Sequence, residues 1–390
     1  MSSFFRHRRD GSNTEILGIE QWMPSCVIMT EESDAYRALQ RHLDGMPVGF
    51  PATESGVEIR ILQRLFTPEE ARIATYLRYS PVPSETLEEI FERVRSLVKS
   101  KDHLEQTLDK MAEKGLILSK KELDCKHYAN AQWVVGIYEL QVNKMTPELY
   151  SDIVDYNIEA FGRELFYSPL PQLRVIPVEK SITPEHDIAR YDVVTELVAA
   201  SEGPFMVANC VCRQAMDLVD NPCKATDRRE TCIAFGSMAQ MYIEKGWGRE
   251  LTREELLETI RLNERDGLVL QPSNSQTLEF LCSCCGCCCG ILFGAKMSRK
   301  PVKFFSTNYY AEVNSDLCTA CGTCINLCQM EALRIEEDAA VIDLDRCIGC
   351  GVCVANCPSD ALTLQKHDEE KIPPQTVEEL YSLIREKKSE

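Results

Sequence analysis

The residues with the clearest chemistry in this 390-residue chain are its 20 cysteines, of which 18 lie after residue 200. Thiolates bind zinc and iron–sulfur clusters well because both are thiophilic centres. Disulfides are rare in the cytosol, so clustered cysteines in a chain of this size more often bind metal or carry out redox chemistry. The cysteines therefore predict metal binding, and their spacing indicates which kind.

The last eight cysteines form a motif that occurs twice, shifted by 29 residues. Each copy has three cysteines separated by two residues and a fourth after three more: Cys318, Cys321, Cys324 and Cys328, then Cys347, Cys350, Cys353 and Cys357. Three cysteines at this spacing wrap a tight loop around one cluster, and the fourth points to the other cluster. Gly322, Gly349 and Gly351 permit the positive φ angles that such loops need.

This spacing predicts two [4Fe–4S] clusters with crossed ligands. The ligands of the first are Cys318, Cys321, Cys324 and Cys357. The ligands of the second are Cys347, Cys350, Cys353 and Cys328. Tetrahedral thiolate sets also suit zinc, but zinc sites rarely use eight cysteines in a crossed, duplicated pattern. Nine acidic side chains against three basic ones over residues 308–366 favour a low potential and basic protein partners.

On these motifs, residues 308–366 resemble the bacterial-type 2[4Fe–4S] ferredoxin domain. The resemblance implies a βαββαβ dicluster fold and a role in electron transfer. The sequence departs from the family at one position: Pro358 follows the last cysteine, but Gln329 follows Cys328, where the family usually has proline. We expect Gln329 to add a hydrogen-bond donor that shifts the potential of the nearby cluster.

Ten more cysteines lie between residues 210 and 289, too many to be explained by packing alone. They are Cys210, Cys212, Cys223, Cys232, Cys282, Cys284, Cys285, Cys287, Cys288 and Cys289. In one interpretation the first four bind a third cluster or a zinc ion, and four of the other six bind another centre. In the alternative, both segments share one site. Because successive side chains of an extended chain point apart, about four of the last six should act as ligands, and the others form a redox-active pair.

Two further features accompany this second group of cysteines. Arg213 directly follows Cys212 and either donates a hydrogen bond to a thiolate or cluster sulfur, raising its potential, or forms a surface salt bridge. Gly286 and Gly290 fit a loop that wraps around a metal. The pattern therefore predicts metal here without identifying it.

The chain as a whole is similar to a set of large ferredoxin-like 4Fe–4S proteins from anaerobic bacteria and archaea. The similar stretches are residues 46–52, 65–71, 210–213 and 284–289. This resemblance implies iron–sulfur binding and electron transfer in anaerobic metabolism, and it implies no substrate.

The elements that hold these cysteines indicate an α+β multidomain protein with a winged-helix-like N-terminal half. Thr67 and Glu70 form a capping box at the start of the first of three helices. Residues 116–118 and Trp133–Tyr138 are predicted as the two strands of the hairpin that follows. Residues 58–130 carry 13 basic and 13 acidic side chains, so we expect a docking or packing unit and no nucleic-acid partner.

The predicted organisation has six parts. They are an N-terminal segment (1–66), the winged-helix-like module (67–146), a helical connector (147–200), a cysteine-rich metal-binding region (201–300), the ferredoxin domain (308–366) and a charged tail (367–390). No apolar run is long enough to span a membrane, and the N-terminus lacks a secretion signal, which predicts a cytoplasmic protein. A net charge of −18 argues against nucleic acid as a ligand.

The favoured function is a relay of low-potential electrons to or from a partner oxidoreductase. The alternatives are an oxidoreductase whose active site lies in the cysteine-rich region, and a redox-sensing regulator that uses the winged helix. No glycine-rich nucleotide-binding motif and no defensible catalytic dyad is present in the sequence.

Overall fold

The computed structural model describes residues 31–182 and 188–389. The prediction that the N-terminus lacks a secretion signal, and the first part of the predicted N-terminal segment, concern residues that lie outside these ranges. The first helices are α1 (Glu31–Asp44), α2 (Val57–Leu65) and α3 (Pro68–Ala74). The Thr67 hydroxyl accepts a hydrogen bond from the Glu70 amide and the Glu70 carboxylate accepts one from the Thr67 amide, which confirms the predicted capping box.

A small antiparallel sheet follows two further helices. Its elements are β1 (Glu85–Thr86), α4 (Leu87–Val94), α5 (Lys101–Lys114), β2 (Ile117–Glu122) and β3 (Cys125–Asn130). Strand β3 lies between β1 and β2. Helix α5 ends at Gly115, whose φ of +75° is the left-handed conformation that glycine adopts most easily.

The prediction that Trp133–Tyr138 forms the second hairpin strand is wrong. Residues of β3 pair with β2 instead, from Ile117 opposite Asn130 to Glu122 opposite Cys125. Trp133 begins an irregular turn, and its ring packs on Phe50 and Tyr156. The apolar run therefore belongs to an aromatic core, which a single sequence does not distinguish from a buried strand.

Two more helices, α6 (Pro147–Tyr156) and α7 (Gly162–Phe166), lead to the middle of the chain. The middle unit begins with α8 (Val194–Ala200), β4 (Phe205–Asn209) and α9 (Val211–Leu218). It continues with β5 (Glu230–Phe235), α10 (Gly236–Glu244), β6 (Gly248–Leu251), α11 (Arg253–Arg265), β7 (Val269–Pro272), β8 (Phe280–Cys284) and α12 (Gly290–Lys296).

The five strands of the middle unit form one antiparallel sheet in the order β6-β4-β5-β8-β7. Val207, Ile233 and Leu281 of this sheet pack in one apolar core with Leu256 and Ile260 of α11. The cysteines of β5 and β8 and those that follow β4 and β8 are thereby brought towards one another.

The C-terminal unit is small and built around two β pairs. Its elements are β9 (Tyr309–Val313), α13 (Thr323–Leu327), β10 (Leu333–Glu336), β11 (Ala339–Ile342), α14 (Val352–Ala355) and β12 (Leu362–Lys366). Strand β9 pairs with β12, and β10 pairs with β11, both antiparallel. This order, β-α-β-β-α-β, is the one that the ferredoxin resemblance implies.

The last helix, α15 (Val377–Ser389), packs against the helical unit of residues 31–166, which is the front unit. Leu380, Tyr381 and Ile384 are buried in the same apolar core as Leu39 and Trp133. The segment that the sequence predicts to be a charged tail thus contains a helix with one buried face.

Candidate metal centres

The eight cysteines of the duplicated motif line two pockets in the C-terminal unit. The outer pocket is lined by Cys318, Cys321, Cys324 and Cys357. The inner pocket is lined by Cys328, Cys347, Cys350 and Cys353. The fourth cysteine of each copy therefore lies with the first three of the other copy. Four thiols around one pocket are a donor set suited to a [4Fe–4S] cluster.

Backbone amides point at the sulfurs of both pockets. The Ala340 amide donates to Cys318 Sγ of the outer pocket over 3.3 Å. At the inner pocket, the Ala332 amide donates to Cys328 Sγ over 3.2 Å and the Ala311 amide to Cys347 Sγ over 3.5 Å. Such bonds stabilise negative charge on sulfur, so they favour the thiolate that binds iron and make a bound centre easier to reduce.

The two pockets differ in their access to solvent. Cys321 of the outer pocket is exposed, and hydrogen bonds from Thr323 lower the pKa of its thiol. In the inner pocket Cys353 is buried and the other three cysteines are half-buried, and burial raises the pKa of Cys350 to about 12. Because metal binding displaces the proton from a thiol, occupation of the inner pocket by metal would offset this cost of ionisation.

Gln329 connects the inner pocket to the middle unit. Its side-chain oxygen accepts a hydrogen bond of 2.8 Å from the Gly286 amide, and its side-chain nitrogen donates one of 3.0 Å to the Gly267 carbonyl. Gln329 thus is a hydrogen-bond donor, as expected from its replacement of proline, but its partners lie in the middle unit. Because Gln329 directly follows Cys328, the first of these hydrogen bonds joins the inner pocket to the turn between Cys285 and Cys287.

The ten cysteines of the middle unit divide into two sets that differ from both arrangements expected from the sequence. The four-cysteine set consists of Cys223, Cys285, Cys287 and Cys288. The six-cysteine set consists of Cys210, Cys212, Cys232, Cys282, Cys284 and Cys289. Each set draws ligand candidates from both segments, because Cys282 and Cys284 project from one face of β8 while the turn after β8 carries the next cysteines towards Cys223.

Arg213 is fully buried beside the four-cysteine set. Its Nε donates to Cys223 Sγ over 3.4 Å, and its Nη2 approaches Cys285 Sγ at 3.5 Å. The same guanidinium also donates to the Thr231 hydroxyl and the Ser283 carbonyl. Of the two roles predicted for Arg213, the hydrogen bond to a thiol sulfur is confirmed, and the surface salt bridge is wrong because the side chain is enclosed.

The six-cysteine set is a chain of neighbouring thiols between the sheet and the front unit. Cys282 contacts both Cys232 and Cys284, and Cys284 also contacts Cys289. Cys210 and Cys212 contact each other at the start of α9. Six neighbouring thiols exceed the four that one tetrahedral ion accepts, so this set is suited to a centre of more than one metal or to thiol redox chemistry.

Two residues beside this set were missed by the sequence analysis. The Tyr138 hydroxyl donates to Cys212 Sγ over 3.5 Å. Glu139 lies near Cys210 and Cys284, and burial raises its pKa to about 8. Tyr138 is the last residue of the apolar run that the sequence predicts as a strand, Glu139 directly follows it, and no motif marks either residue.

The inner pocket and the six-cysteine set share one apolar cluster. Cys328 and Cys350 of the inner pocket pack in it with Cys284 and Cys289 of the six-cysteine set. Met330 and Ile348, both buried, belong to the same cluster. The inner pocket is therefore positioned between the outer pocket and the cysteines of the middle unit.

Comparison with known families finds one match within the chain: residues 317–362 match a 4Fe-4S dicluster domain. This match supports an iron–sulfur, ferredoxin-like domain at the C-terminus and agrees with the four-thiol pockets described above. Comparison with curated proteins finds no match to the chain. None of the described helices is long and apolar enough to cross a bilayer.

Proposed function

We propose that this chain is a cytoplasmic iron–sulfur protein that relays low-potential electrons through two [4Fe–4S] clusters to or from a partner oxidoreductase. The observation that carries the proposal is the crossed arrangement of the two pockets, each with four thiols and one of them contributed by the other copy of the motif. Bound clusters would supply reversible one-electron transfer.

The residues of this chain would hold the clusters, shield them and tune them. Cys318, Cys321, Cys324 and Cys357 would bind one cluster, and Cys328, Cys347, Cys350 and Cys353 the other. Around the inner pocket, Ile348 and Val352 are buried and exclude water from the sulfurs. Exclusion of water and the nine carboxylates of residues 308–366 both disfavour an added negative charge, so they lower the potential.

The outer pocket is the favoured point of electron exchange with a partner, because Cys321 is exposed there. The excess of acidic over basic side chains in residues 308–366 would attract a partner with a basic docking face. In the helical front unit, Lys101, Lys114 and Lys126 pair with carboxylates of the same unit, Glu88, Glu70 and Asp109. These pairs support a protein-docking role for the winged-helix-like unit over a DNA-reading role.

Iron analysis and electron paramagnetic resonance of the anaerobically reconstituted full-length chain test this proposal. We expect about eight irons from the ferredoxin domain, with more if the six-cysteine set also binds iron. Crossed ligation predicts that Cys318→Ser and Cys357→Ser alter one and the same reduced-state signal, whereas Cys328→Ser alters the other. Cys125→Ser is the matched control, since Cys125 is exposed on β3 and belongs to no set.

A reduced chain without cluster signals, or with stoichiometric zinc in place of iron at these eight cysteines, would defeat the proposal. If Cys328→Ser and Cys318→Ser changed the same signal, the ligation would follow the sequence order and the crossed assignment would be wrong.

A second candidate function is an oxidoreductase whose reaction centre is the six-cysteine set. The observation that favours it is the grouping of six thiols with Tyr138 and Glu139, which a simple relay does not require. Cys284→Ser should then abolish turnover of a small redox substrate while leaving both ferredoxin signals intact. Unchanged electron delivery to a partner protein in that variant would favour the relay.

A further inference from the structure

The four-cysteine set is far more compact than the other cysteine groups. Cys223 Sγ lies 3.6 Å from Cys285 Sγ and 3.9 Å from Cys287 Sγ. Cys287 Sγ lies 3.5 Å from Cys285 Sγ and 3.6 Å from Cys288 Sγ. All four sulfurs lie within 4.8 Å of one another.

These separations match the edges of a tetrahedron around a single ion. With a zinc–sulfur distance of about 2.3 Å, the sulfurs of a tetrahedral site lie about 3.8 Å apart. The four sulfur–sulfur distances given above, 3.5–3.9 Å, bracket that value. In a [4Fe–4S] cluster each thiolate binds a different iron, so its ligand sulfurs stand further apart than those of one ion.

The ferredoxin cysteines provide an internal comparison. Among the residues that the structure describes, the four-cysteine set is the one group of three or more Cys, His, Asp or Glu ligand atoms within 4.8 Å of one another. The cysteines of the outer and inner pockets do not meet this limit. The chain therefore has two groups of thiols whose sulfurs are spaced widely enough for clusters, and one compact group whose sulfur spacing fits a single ion.

Burial and charge also suit a closed single-ion site. Cys223, Cys285 and Cys288 are buried, and Leu268 packs against them. Four thiolates around a divalent cation leave two negative charges, and the buried Arg213 supplies a positive charge with hydrogen bonds to Cys223 and Cys285. With four thiol donors already present, no open coordination position is left for a substrate.

We propose that Cys223, Cys285, Cys287 and Cys288 form a closed tetrahedral site for one zinc ion with a structural role. The ion would fasten the loop after α9, which carries Cys223, to the turn after β8. That turn also contains Gly286, whose amide donates to Gln329 beside the inner pocket. The site would therefore hold in place the part of the middle unit that contacts the C-terminal unit. This role does not depend on the proposed electron relay.

Elemental analysis and zinc-edge X-ray absorption of the anaerobically purified full-length chain test this proposal. We expect about one zinc ion per chain with four sulfur neighbours at about 2.3 Å. Cys287→Ser should lower the zinc content roughly tenfold without changing the iron of the ferredoxin domain. Cys321→Ser should lower the iron content without changing the zinc content, and Cys125→Ser should change neither metal.

The absorption measurement on the unmodified chain keeps the test decisive even if Cys287→Ser folds poorly. Absence of zinc, nitrogen or oxygen in its first shell, or mononuclear iron bound by these four cysteines would each overturn the proposal. A loss of about four irons in Cys287→Ser would show that the set binds a cluster instead.

Discussion

The two copies of the cysteine motif have nearly the same backbone but lie in different surroundings. In the outer loop Thr319 is exposed and Thr323 is half-buried. The inner loop has Ile348 and Val352 at the positions 29 residues later, and both are buried. The same cysteine spacing therefore forms an exposed loop in the first copy and a packed loop in the second. The side chains between the cysteines determine this difference.

The glycines and the residue after the fourth cysteine show the same division. Ala320, with a φ of +52°, has Gly349 as its counterpart in the inner loop. Exposed Pro358 has Gln329 as its counterpart, which is half-buried and bonded to the middle unit. Substitutions at positions 29 residues apart therefore distinguish two requirements. One is the backbone conformation that the cysteine loop itself needs, and the other is its packing against the rest of the chain.

The largest effect is expected for Gly349→Ala. A Cβ there would lie 2.0 Å from the Tyr309 carbonyl oxygen, and the backbone of β9 cannot move away without disturbing its pairing with β12. We expect the free energy of unfolding to fall by about 3 kcal/mol, measured by denaturant titration. Ala320→Gly is the control and should change it by less than about 1 kcal/mol. Equal effects would show that the two loops are equally constrained.

A smaller difference is expected between Gly351→Ala and Gly322→Ala. The two glycines have φ values of +71° and +74°, but a Cβ at Gly351 would lie 2.1 Å from Ser181 Oγ, whereas nothing lies within 4 Å of one at Gly322. Both variants incur about 1 kcal/mol of backbone strain, and Gly351→Ala about 1 kcal/mol more from the clash with a side chain. Thermal unfolding measures the difference, and Ser181→Gly should recover most of the excess.

Gln329→Met tests the connection between the inner loop and the middle unit. The variant leaves the Gly286 amide and the Gly267 carbonyl without their partner, which should cost about 1–2 kcal/mol. Hydrogen exchange at the Gly286 amide should accelerate. Of the two proposed clusters, only the one in the inner pocket should change its reduction potential. Gln365→Met is the matched control, because the Gln365 side chain donates to the Thr363 hydroxyl of the same strand, on the surface. Equal acceleration in both variants would contradict the connection.

The smallest effect is expected for Glu331→Gln. Glu331 accepts a hydrogen bond of 2.8 Å from Lys296 of the middle unit, which lowers the pKa of the carboxyl. The pair therefore stabilises the fold above the usual carboxyl pKa and loses this contribution as the pH falls through the lowered value. Because Glu331 is mostly exposed, we expect less than about 0.5 kcal/mol at neutral pH. Asp360→Asn, at the paired outer position, is the control in the same pH series.

The sequence was most informative where the chemistry depends on local spacing. The duplicated motif predicts three cysteines in one loop and the fourth in the other, and the pockets place them in that way. Capping at Thr67 is equally local, since its donor and acceptor lie three residues apart.

The division of the middle cysteines depends on contacts that no local pattern contains. Cys223 joins the four-cysteine set across 62 residues of chain, from a loop after α9. Adjacent Cys287 and Cys288 converge because they lie in a turn, whereas the expectation that consecutive side chains diverge holds for extended chain. Glu139 was missed because the preceding apolar run was interpreted as a strand.

Helix α15 lies after the ferredoxin domain in sequence, yet Leu380 and Ile384 pack in the core of the front unit. Tyr381 donates a hydrogen bond to Gln172, and Lys388 pairs with Glu164. During translation the front core therefore stays incomplete until this helix leaves the ribosome. The cysteines of the middle and C-terminal units leave the ribosome earlier, so they can take up metal before helix α15 completes the front core.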